Sequence, residues 1–146
     1  MVAYNTVFER PVIRYFVKLL KIIPVNQVVQ LVDAMQVSAY VLRNGKALAF
    51  FPAGARSIDG TVQEFKKGVG ILAKELNLQL VPVYINGSFE AWPRGRRFPR
   101  PHKITVTFGK ALKAKDLKQQ GMKLGAKDDY QAISLAIREA VIKLKD

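Results

Sequence analysis

The sequence predicts an α/β fold, with a largely parallel or mixed sheet that is covered by helices. Short apolar runs alternate along the chain with segments whose apolar side chains recur at helical spacing. This alternation is typical of strand–helix–strand units, in which a helix carries the chain between parallel strands. The chain has 146 residues, 49% of them hydrophobic, which is enough for a core of its own. We therefore predict one domain over residues 1–146.

The first predicted elements are a helix and a short strand. Pro11 suits the first turn of a helix, and apolar side chains follow it at helical spacing: Val12, Phe16, Leu19, Leu20 and Ile23. The segment KIIPV, residues 21–25, is short and β-branched. It predicts an edge strand, because Pro24 cannot donate a hydrogen bond to a ladder.

A second helix and a buried strand come next. Asn26 is a good helix cap, and apolar residues lie on one face of the segment that follows, as far as about Arg43. Asn44-Gly45 then predicts the end of the helix. Residues 46–51, KALAFF, are apolar throughout, as expected of a strand that is covered on both faces.

The second half of the chain continues the alternation. We predict a helix over 65–77, a second buried strand over 78–85 and a Pro- and Arg-rich loop over 86–102. Residues 103–109, KITVTFG, alternate like a half-exposed strand. The C-terminal segment is an amphipathic helix with a cap near residues 128–129. Its predicted buried residues are Ile133, Ile137, Ala140, Val141 and Leu144.

The charge of the chain points to an anionic partner. Lys and Arg number 24 against 11 for Asp and Glu, which gives a formal net charge of +13 at pH 7. Such an excess fits a lipid surface, a phosphate-bearing substrate, an acidic carrier protein or nucleic acid. Composition alone does not distinguish these partners.

The residue types that are missing or rare exclude several kinds of site. The chain has no cysteine, which excludes disulfides, thiolate zinc sites and a cysteine nucleophile. His102 is the single histidine, so a histidine-rich metal cluster is excluded and we predict no metal. No apolar run approaches the roughly 17–25 residues that cross a bilayer, and the N-terminus lacks the layout of a secretory signal. We predict a cytoplasmic protein that is soluble or peripheral to a membrane.

The segment FFPAGARSIDG, residues 50–60, predicts an anion site. Ligands of open α/β sheets bind beyond the carboxyl ends of the strands, where the loops leave. The predicted strand ends in this segment, and Gly54 allows the turn that follows. Arg56 offers a planar fork of donors and Ser57 a hydroxyl, while Lys66 adds positive potential at the start of the next helix. These groups suit phosphate or carboxylate oxygens; the alternative is a solvated turn without a ligand.

The central block of the chain resembles the glycerolipid acyltransferase family of phospholipid biosynthesis. The family pattern is Phe-Pro-Glu-Gly-Thr-Arg-Ser, a short turn, Phe-Lys-x-Gly, and an apolar strand that contains Val-Pro-Val. The segments KITVTFGKAL and LKIIPVN also resemble family segments, with Asn26 in place of a frequent arginine, so the resemblance covers residues 10–115. The central block matches at Phe51, Pro52, Gly54, Arg56, Ser57, Phe65, Lys66, Gly68, Pro82 and Val83.

The resemblance implies an enzyme that moves a fatty acyl group from an acyl-CoA or acyl-carrier-protein thioester to a lysophospholipid or glycerol-phosphate hydroxyl. In the family, the histidine of a His-x-x-x-x-Asp motif deprotonates that hydroxyl, and the aspartate orients the ring. The arginine-bearing loop holds the phosphate of the acceptor. The resemblance thus assigns phosphate binding to Arg56, and with it to Ser57, Gly54 and Lys66. It implies no cofactor beyond the acyl-CoA or acyl-carrier-protein co-substrate.

Two features depart from the family pattern. The chain has no His-x-x-x-x-Asp, since His102 is followed by KITVTFG and lies in a different part of the pattern. We therefore expect no catalytic residue in this chain and an N-terminally incomplete domain that begins just after the motif. Negligible activity of the isolated chain follows, because a positioned general base contributes about 10²–10⁴-fold. The motif glutamate and threonine are Ala53 and Ala55, which keeps open a non-catalytic basic module that binds anionic lipid.

A second basic surface is predicted in residues 91–115, which contain no acidic residue. Rings and cations together suit a membrane interface, the docking of an acidic carrier protein or single-stranded nucleic acid. A solvated loop is the remaining alternative. Given the resemblance, we expect contact with anionic lipid or an acidic carrier, and no nucleic acid. The residues assigned to this contact are Trp92, Arg94, Arg96, Arg97 and Arg100.

Overall fold

The computed structural model describes residues 2–4, 23–25 and 31–145. Their contacts divide the chain into two units, Met1–Phe51 and Pro52–Asp146. The helix predicted to begin after Pro11 and the capping position Asn26 lie outside the described residues. The assignment of the whole chain to a single domain stays a prediction.

The first unit contains a parallel pair of strands and a helix. Strand β1 (Val2–Tyr4) pairs in parallel with strand β2 (Ile23–Val25). The strand predicted at KIIPV is therefore confirmed. Helix α1 (Leu31–Arg43) ends at Asn44-Gly45, as predicted: Gly45 has φ +67°, a conformation that favours glycine.

The strand predicted over residues 46–51 is wrong. These residues have no regular secondary structure, and Phe51 is 51% exposed. An apolar run becomes a strand when a neighbouring strand completes its ladder. No described strand pairs with this run, so its apolar character does not fix its backbone.

The second unit alternates helices with short strands. Its elements are α2 (Gly68–Glu75), β3 (Gln79–Leu80), β4 (Val83–Asn86), α3 (Ser88–Ala91), β5 (Thr105–Phe108), β6 (Leu112–Lys113), α4 (Ala114–Lys123) and α5 (Asp129–Ile142). Strand β4 pairs with β5 and β3 with β6, both antiparallel. Together with the parallel pair β1–β2 these ladders are mixed, and the predicted α/β class is confirmed.

Two strand predictions in this unit need correction. The strand predicted over 78–85 is divided into β3 and β4 by Val81 and Pro82, because Pro82 has no N–H to donate. Most of its residues are half-buried or exposed rather than buried. Strand β5 lies where it was predicted, but Phe108 is 70% exposed and no residue of the strand is buried, because β4 is its one described ladder partner.

Helices α2 and α4 pack against α5 to form the core of the second unit. A Cβ at Gly70 of α2 would lie 2.0 Å from the Tyr130 carbonyl oxygen, and one at Gly121 of α4 would lie 1.9 Å from that of Ala132. These two glycines therefore let the helix backbones touch. The buried side chains of the core include Val69, Leu72, Ala73, Leu117, Ala132, Ile133, Ala136, Ile137 and Val141.

Helix α5 begins at the predicted cap, where Asp128 Oδ1 accepts a hydrogen bond from the Gln131 N–H at 2.8 Å. The predicted burial of Ile133, Ile137 and Val141 is confirmed, whereas Ala140 and Leu144 are half-buried. Helix α4 was not predicted. Its sequence is mostly polar, and two of its three buried residues are small, so the sequence shows little of the apolar periodicity that predicts a helix.

Ion pairs join α2 and α4 to the start of α5. The Asp129 carboxylate bridges Lys118 Nζ at 2.8 Å and Lys74 Nζ at 2.9 Å, while Asp128 pairs with Lys67. Hydrogen bonds from Lys118 and then from Lys74 lower the pKa of Asp129. The hydrogen bond from Lys67 likewise lowers the pKa of Asp128. Both carboxylates are therefore ionised at neutral pH and bind the three helices together.

Candidate anion-binding site

Residues 53–65, the arginine loop, are closed at their base by a backbone hydrogen bond. The Lys66 N–H donates to the Pro52 carbonyl at 3.0 Å. Gly54 has φ +72°, and a Cβ at this position would lie 3.3 Å from Lys66 Nζ. The Lys66 side chain therefore lies across Gly54, so the structure brings together two of the residues predicted to bind phosphate.

A network of side chains fixes the turn inside the arginine loop. The Ser57 hydroxyl accepts from the Gly60 N–H at 2.9 Å and donates to Asp59 Oδ1 at 3.2 Å. The same carboxylate oxygen accepts from the Thr61 N–H at 3.0 Å, the Thr61 hydroxyl at 2.7 Å and Gln63 Nε2 at 3.0 Å. The bonds from Thr61, the backbone one above all, hold the pKa of Asp59 below its ordinary value. Ser57 thus stabilises the loop, and its direct contact with phosphate stays a prediction.

Gly60 joins the arginine loop to helix α3. It has φ +83°, and a Cβ there would lie 3.2 Å from the ring of Phe89. The Phe89 ring therefore packs directly on glycine backbone. Helix α3 itself begins after Gly87, where a Cβ would lie 2.0 Å from the Lys103 carbonyl oxygen. Glycine is required at both positions by the positive φ and by the close approach.

Arg56 is exposed and lies over the single tryptophan of the chain. Its Cζ atom is 5.2 Å from the centre of the Trp92 ring, within range of a cation–π interaction. The Trp92 indole N–H donates to the Arg96 carbonyl at 2.8 Å, which fixes the ring. No described carboxylate forms an ion pair with Arg56. The two surfaces predicted separately from the sequence thus meet at this contact, where the described part of the chain offers Arg56 a ring and no ion-pair partner.

The remaining residues of the predicted basic surface serve different roles. Arg100 closes the segment, because its Nε donates to the Glu90 carbonyl at 2.6 Å. Arg97 Cζ lies 5.4 Å from the centre of the Phe98 ring, and that ring is 66% exposed. Exposed arginines and aromatic rings therefore stand side by side here. The arginines of the segment that expose their side chains without such an anchoring bond are Arg94, Arg96 and Arg97.

Sequence reasoning missed Arg138, on helix α5. Its Nε donates to the Gln63 carbonyl at 3.1 Å and its Nη2 to the Val62 carbonyl at 2.9 Å. One turn earlier, the buried Ser134 hydroxyl lies 3.4 Å from the Lys66 carbonyl oxygen. Polar residues four positions apart on a largely apolar helix face were the available signal.

His102 does not belong to the arginine loop. It is exposed, and its Cδ2 lies 3.1 Å from the Cβ that Gly87 would carry. In the part of the chain that the structure describes, no three histidine or acidic side chains form a group that could hold a metal. None of the described helices is long and apolar enough to cross a membrane.

The arginine loop and the adjacent Lys66 present groups that suit an anion. Arg56 and Lys66 supply cationic donors, and Asp59 accepts hydrogen bonds from the loop itself. A phosphate would find charge-assisted donors here.

The chain is similar in sequence to known acyltransferases. A family model described as Acyltransferase matches residues 1–86. A 1-acyl-sn-glycerol-3-phosphate acyltransferase of Cocos nucifera is 32% identical over 85 residues, which are 58% of this chain and 28% of that protein. A protein of the same name from Limnanthes douglasii is 42% identical over 62 residues, 42% of this chain and 22% of that protein. The matches thus span about a quarter of the length of these relatives.

A solved structure shares the fold. The crystal structure of the 1-acyl-sn-glycerophosphate (LPA) acyltransferase PlsC from Thermotoga maritima superposes with a TM-score of 0.70. The superposition covers 99% of this chain and 56% of that one, at 23% sequence identity. At this identity the likeness shows the arrangement of the chain and not its substrate.

Proposed function

Because this chain belongs to the acyltransferase family, we propose that it forms part of an enzyme that acylates a lysophospholipid or glycerol phosphate. The resemblance to glycerolipid acyltransferases is confirmed. In the proposed reaction the acceptor hydroxyl attacks the thioester carbonyl of acyl-CoA or acyl-carrier protein. A C–O bond replaces the C–S bond, and the thiol leaves with the proton of the hydroxyl. The proposed reaction needs no further cofactor, and we propose that residues 1–146 belong to one acyltransferase domain.

The proposed task of this chain is to hold the phosphate of the acceptor. Arg56 carries that proposal, because its exposed guanidinium lies on Trp92 and has no ion-pair partner among the described carboxylates. Lys66 adds an ammonium above Gly54. Ser57 stabilises the turn by accepting the Gly60 N–H, and we propose that it binds the phosphate together with Arg56 and Lys66. A phosphate held in this way presents its neighbouring hydroxyl to the thioester in a fixed orientation.

We expect the isolated 146 residues to transfer acyl groups at a negligible rate. The sequence has no His-x-x-x-x-Asp, and a positioned general base contributes about 10²–10⁴-fold. Binding and catalysis are thus separable properties. Phosphate binding is the property to measure on this chain.

The proposed surroundings are the surface of a membrane on the cytoplasmic side. Anionic headgroups or an acidic carrier protein would contact Trp92, Arg94, Arg96 and Arg97. Arg100 would stabilise that surface through its hydrogen bond to the Glu90 carbonyl. Exposed arginines beside exposed rings support a lipid surface over nucleic acid in a protein of this family. The proposed localisation is cytoplasmic and peripheral.

A second candidate function rests on Ala53, which stands where the family has glutamate. It is a non-catalytic basic module that binds anionic lipid without acyl transfer. The two functions differ in ligand selectivity. A module that reads surface charge binds any anionic lipid, whereas an acceptor site requires a phosphate monoester next to a free hydroxyl.

The proposed function is tested by titrating the chain with short-chain lysophosphatidate and following the fluorescence of Trp92. A monoacylglycerol of the same chain length, which lacks the phosphate, is the matched control ligand. We expect saturable binding of the phosphate-bearing lipid and an affinity at least about ten-fold lower for the control, since charge-assisted hydrogen bonds contribute about 1.5–3 kcal/mol. Equal affinities for lysophosphatidate and monoacylglycerol would contradict the proposed phosphate site. Equal binding of lysophosphatidate and anionic diacyl lipid in vesicles would favour the non-catalytic module, and preference for an oligonucleotide would contradict both.

A further inference from the structure

The guanidinium of Arg138 is bonded to loop backbone. Its Nε donates to the Gln63 carbonyl at 3.1 Å and its Nη2 to the neighbouring Val62 carbonyl at 2.9 Å. The carboxylate it approaches, Glu139 Oε1, is 3.6 Å from Nη1, and the Arg138 side chain is only 27% exposed. A planar fork of N–H donors matches two successive carbonyls, which the compact ammonium of lysine cannot do.

The contact of Arg138 reaches the residues that shape the turn beside Arg56. The side chain of Gln63 donates to Asp59 Oδ1 at 3.0 Å and lies 3.5 Å from the Ser57 hydroxyl. Ser57 follows Arg56 directly in the chain. A continuous set of hydrogen bonds therefore runs from helix α5 through Gln63 to the turn that presents Arg56.

Helix α5 is a firm support for this set of bonds. It contributes Ala132, Ile133, Ala136, Ile137 and Val141 to the core. Ser134, one turn before Arg138, lies 3.4 Å from the Lys66 carbonyl oxygen. The same face of α5 therefore contacts the backbone at both ends of residues 63–66.

We propose that Arg138 is a positioning residue for the anion site. It touches no ligand, and it holds the arginine loop on α5 so that Arg56 and Lys66 converge on one phosphate. This inference rests on the proposed function, in which the arginine loop binds the phosphate of the acceptor. Arg138 is the residue that couples the core of the second unit to that binding.

The test compares Arg138→Lys with the parent chain in two measurements. Short-chain lysophosphatidate is titrated into each, and the exchange rates of the Gly60 and Thr61 amide protons are measured by NMR. Those two N–H groups donate to Ser57 and Asp59 and so report the shape of the turn. We expect affinity to fall about 2–10-fold, the equivalent of one net hydrogen bond, and both amides to exchange faster. The amides of α5 should keep their protection.

A matched control is Arg43→Lys, the same replacement at an exposed arginine in the last turn of α1, which should leave both measurements unchanged. Arg138→Met, which keeps the apolar stem, should give at least as large an effect as Arg138→Lys. Parent-like affinity and parent-like exchange of Gly60 and Thr61 in the folded variants would overturn the proposal. Loss of the folded state in both variants would also overturn it, because Arg138 would then support the core. If the parent chain binds no lysophosphatidate, the proposed function fails, and the amide exchange rates alone decide whether Arg138 fixes the turn.

Discussion

The Arg56 guanidinium lies 5.2 Å from the centre of the Trp92 ring, and this contact joins the arginine loop to the basic segment that follows α3. The ring itself is fixed by the hydrogen bond from its indole N–H to the Arg96 carbonyl. Among the residues that the structure describes, no carboxylate forms an ion pair with Arg56, so its guanidinium is available to an anion. Trp92 is therefore expected to orient Arg56 for an anion as well as to contact lipid.

The ring of Trp92 should contribute to anion affinity. Replacing it in Trp92→Leu removes the cation–π attraction, worth about 0.5–1 kcal/mol at an exposed site, so affinity for short-chain lysophosphatidate should fall about 2–5-fold. Trp92→Phe keeps a ring but also lacks the indole N–H, so the difference between Phe and Leu isolates the ring face. Isothermal titration calorimetry measures both. Equal affinities of the two variants would show that Arg56 does not depend on the ring.

The contact between α4 and α5 should tolerate no side chain at Gly121. A Cβ there would lie 1.9 Å from the Ala132 carbonyl oxygen, so Gly121→Ala must push the helix backbones apart. We expect the free energy of unfolding to fall by about 1–3 kcal/mol, as is usual for overpacking. Gln120→Ala, at the exposed neighbouring position of the same helix, should change it by less than about 0.5 kcal/mol. Urea unfolding measures both, and a Gly121→Ala variant as stable as Gln120→Ala would contradict the observed packing.

Asp129 should make stability depend on pH in the acidic range. Its pKa is lowered in the folded chain by Lys118 and Lys74, so the folded state binds this proton less readily than the unfolded state. The stabilisation is therefore present above the unfolded pKa of about 3.9 and is lost as pH falls through the folded pKa. The free energy of unfolding, measured with urea, should fall more steeply between about pH 5 and pH 3 in the parent than in Asp129→Asn.

The control for this pH dependence is Asp116→Asn. Asp116 is exposed in the first turn of α4 and forms none of the ion pairs of the described residues. In Asp116→Asn, the free energy of unfolding should therefore fall with pH as it does in the parent. If the free energy of unfolding of Asp129→Asn falls with pH as steeply as that of the parent, the bridge from Asp129 to Lys74 and Lys118 is absent in solution.

Binding to anionic vesicles should depend on the exposed arginines of the basic segment. Arg94→Gln combined with Arg97→Gln removes two cations, each worth about 1 kcal/mol near an acidic leaflet, so partitioning should fall about 30-fold. The double variant Lys123→Gln with Lys127→Gln removes the same charge from α4 and the turn after it, away from the segment in sequence. Sedimentation with vesicles of graded anionic content compares the two. Equal losses would indicate that net charge alone drives binding.

Several features of the fold were predictable because a single local signal determines them. The end of α1 follows from Asn44-Gly45, whose glycine adopts positive φ, and the start of α5 follows from the side chain of Asp128. The apolar spacing of α5 likewise indicated Ile133, Ile137 and Val141 as core residues. These signals need no knowledge of which segments pack together.

The features that were missed depend on partners distant in the sequence. The run 46–51 has the composition of a buried strand, but no described strand pairs with it. Helix α4 packs through Ala114 and Gly121, small residues that give little apolar signal. The contact of Arg56 with Trp92 and that of Arg138 with Gln63 exist only because the fold brings separate segments together. The motif around Arg56 identified the loop, whereas its support could be seen only in the structure.

The central claim is that Arg56 binds the phosphate of an acceptor lipid, and the side-chain NMR signal of its Nε–H group tests this directly. Short-chain lysophosphatidate is added stepwise to the chain, with the signal assigned through its loss in Arg56→Lys. We predict that the Arg56 Nε–H signal shifts with the same saturation curve as the Trp92 fluorescence, and that monoacylglycerol of equal length leaves it in place. A saturable titration that moves other arginine signals and leaves that of Arg56 unchanged would contradict the claim.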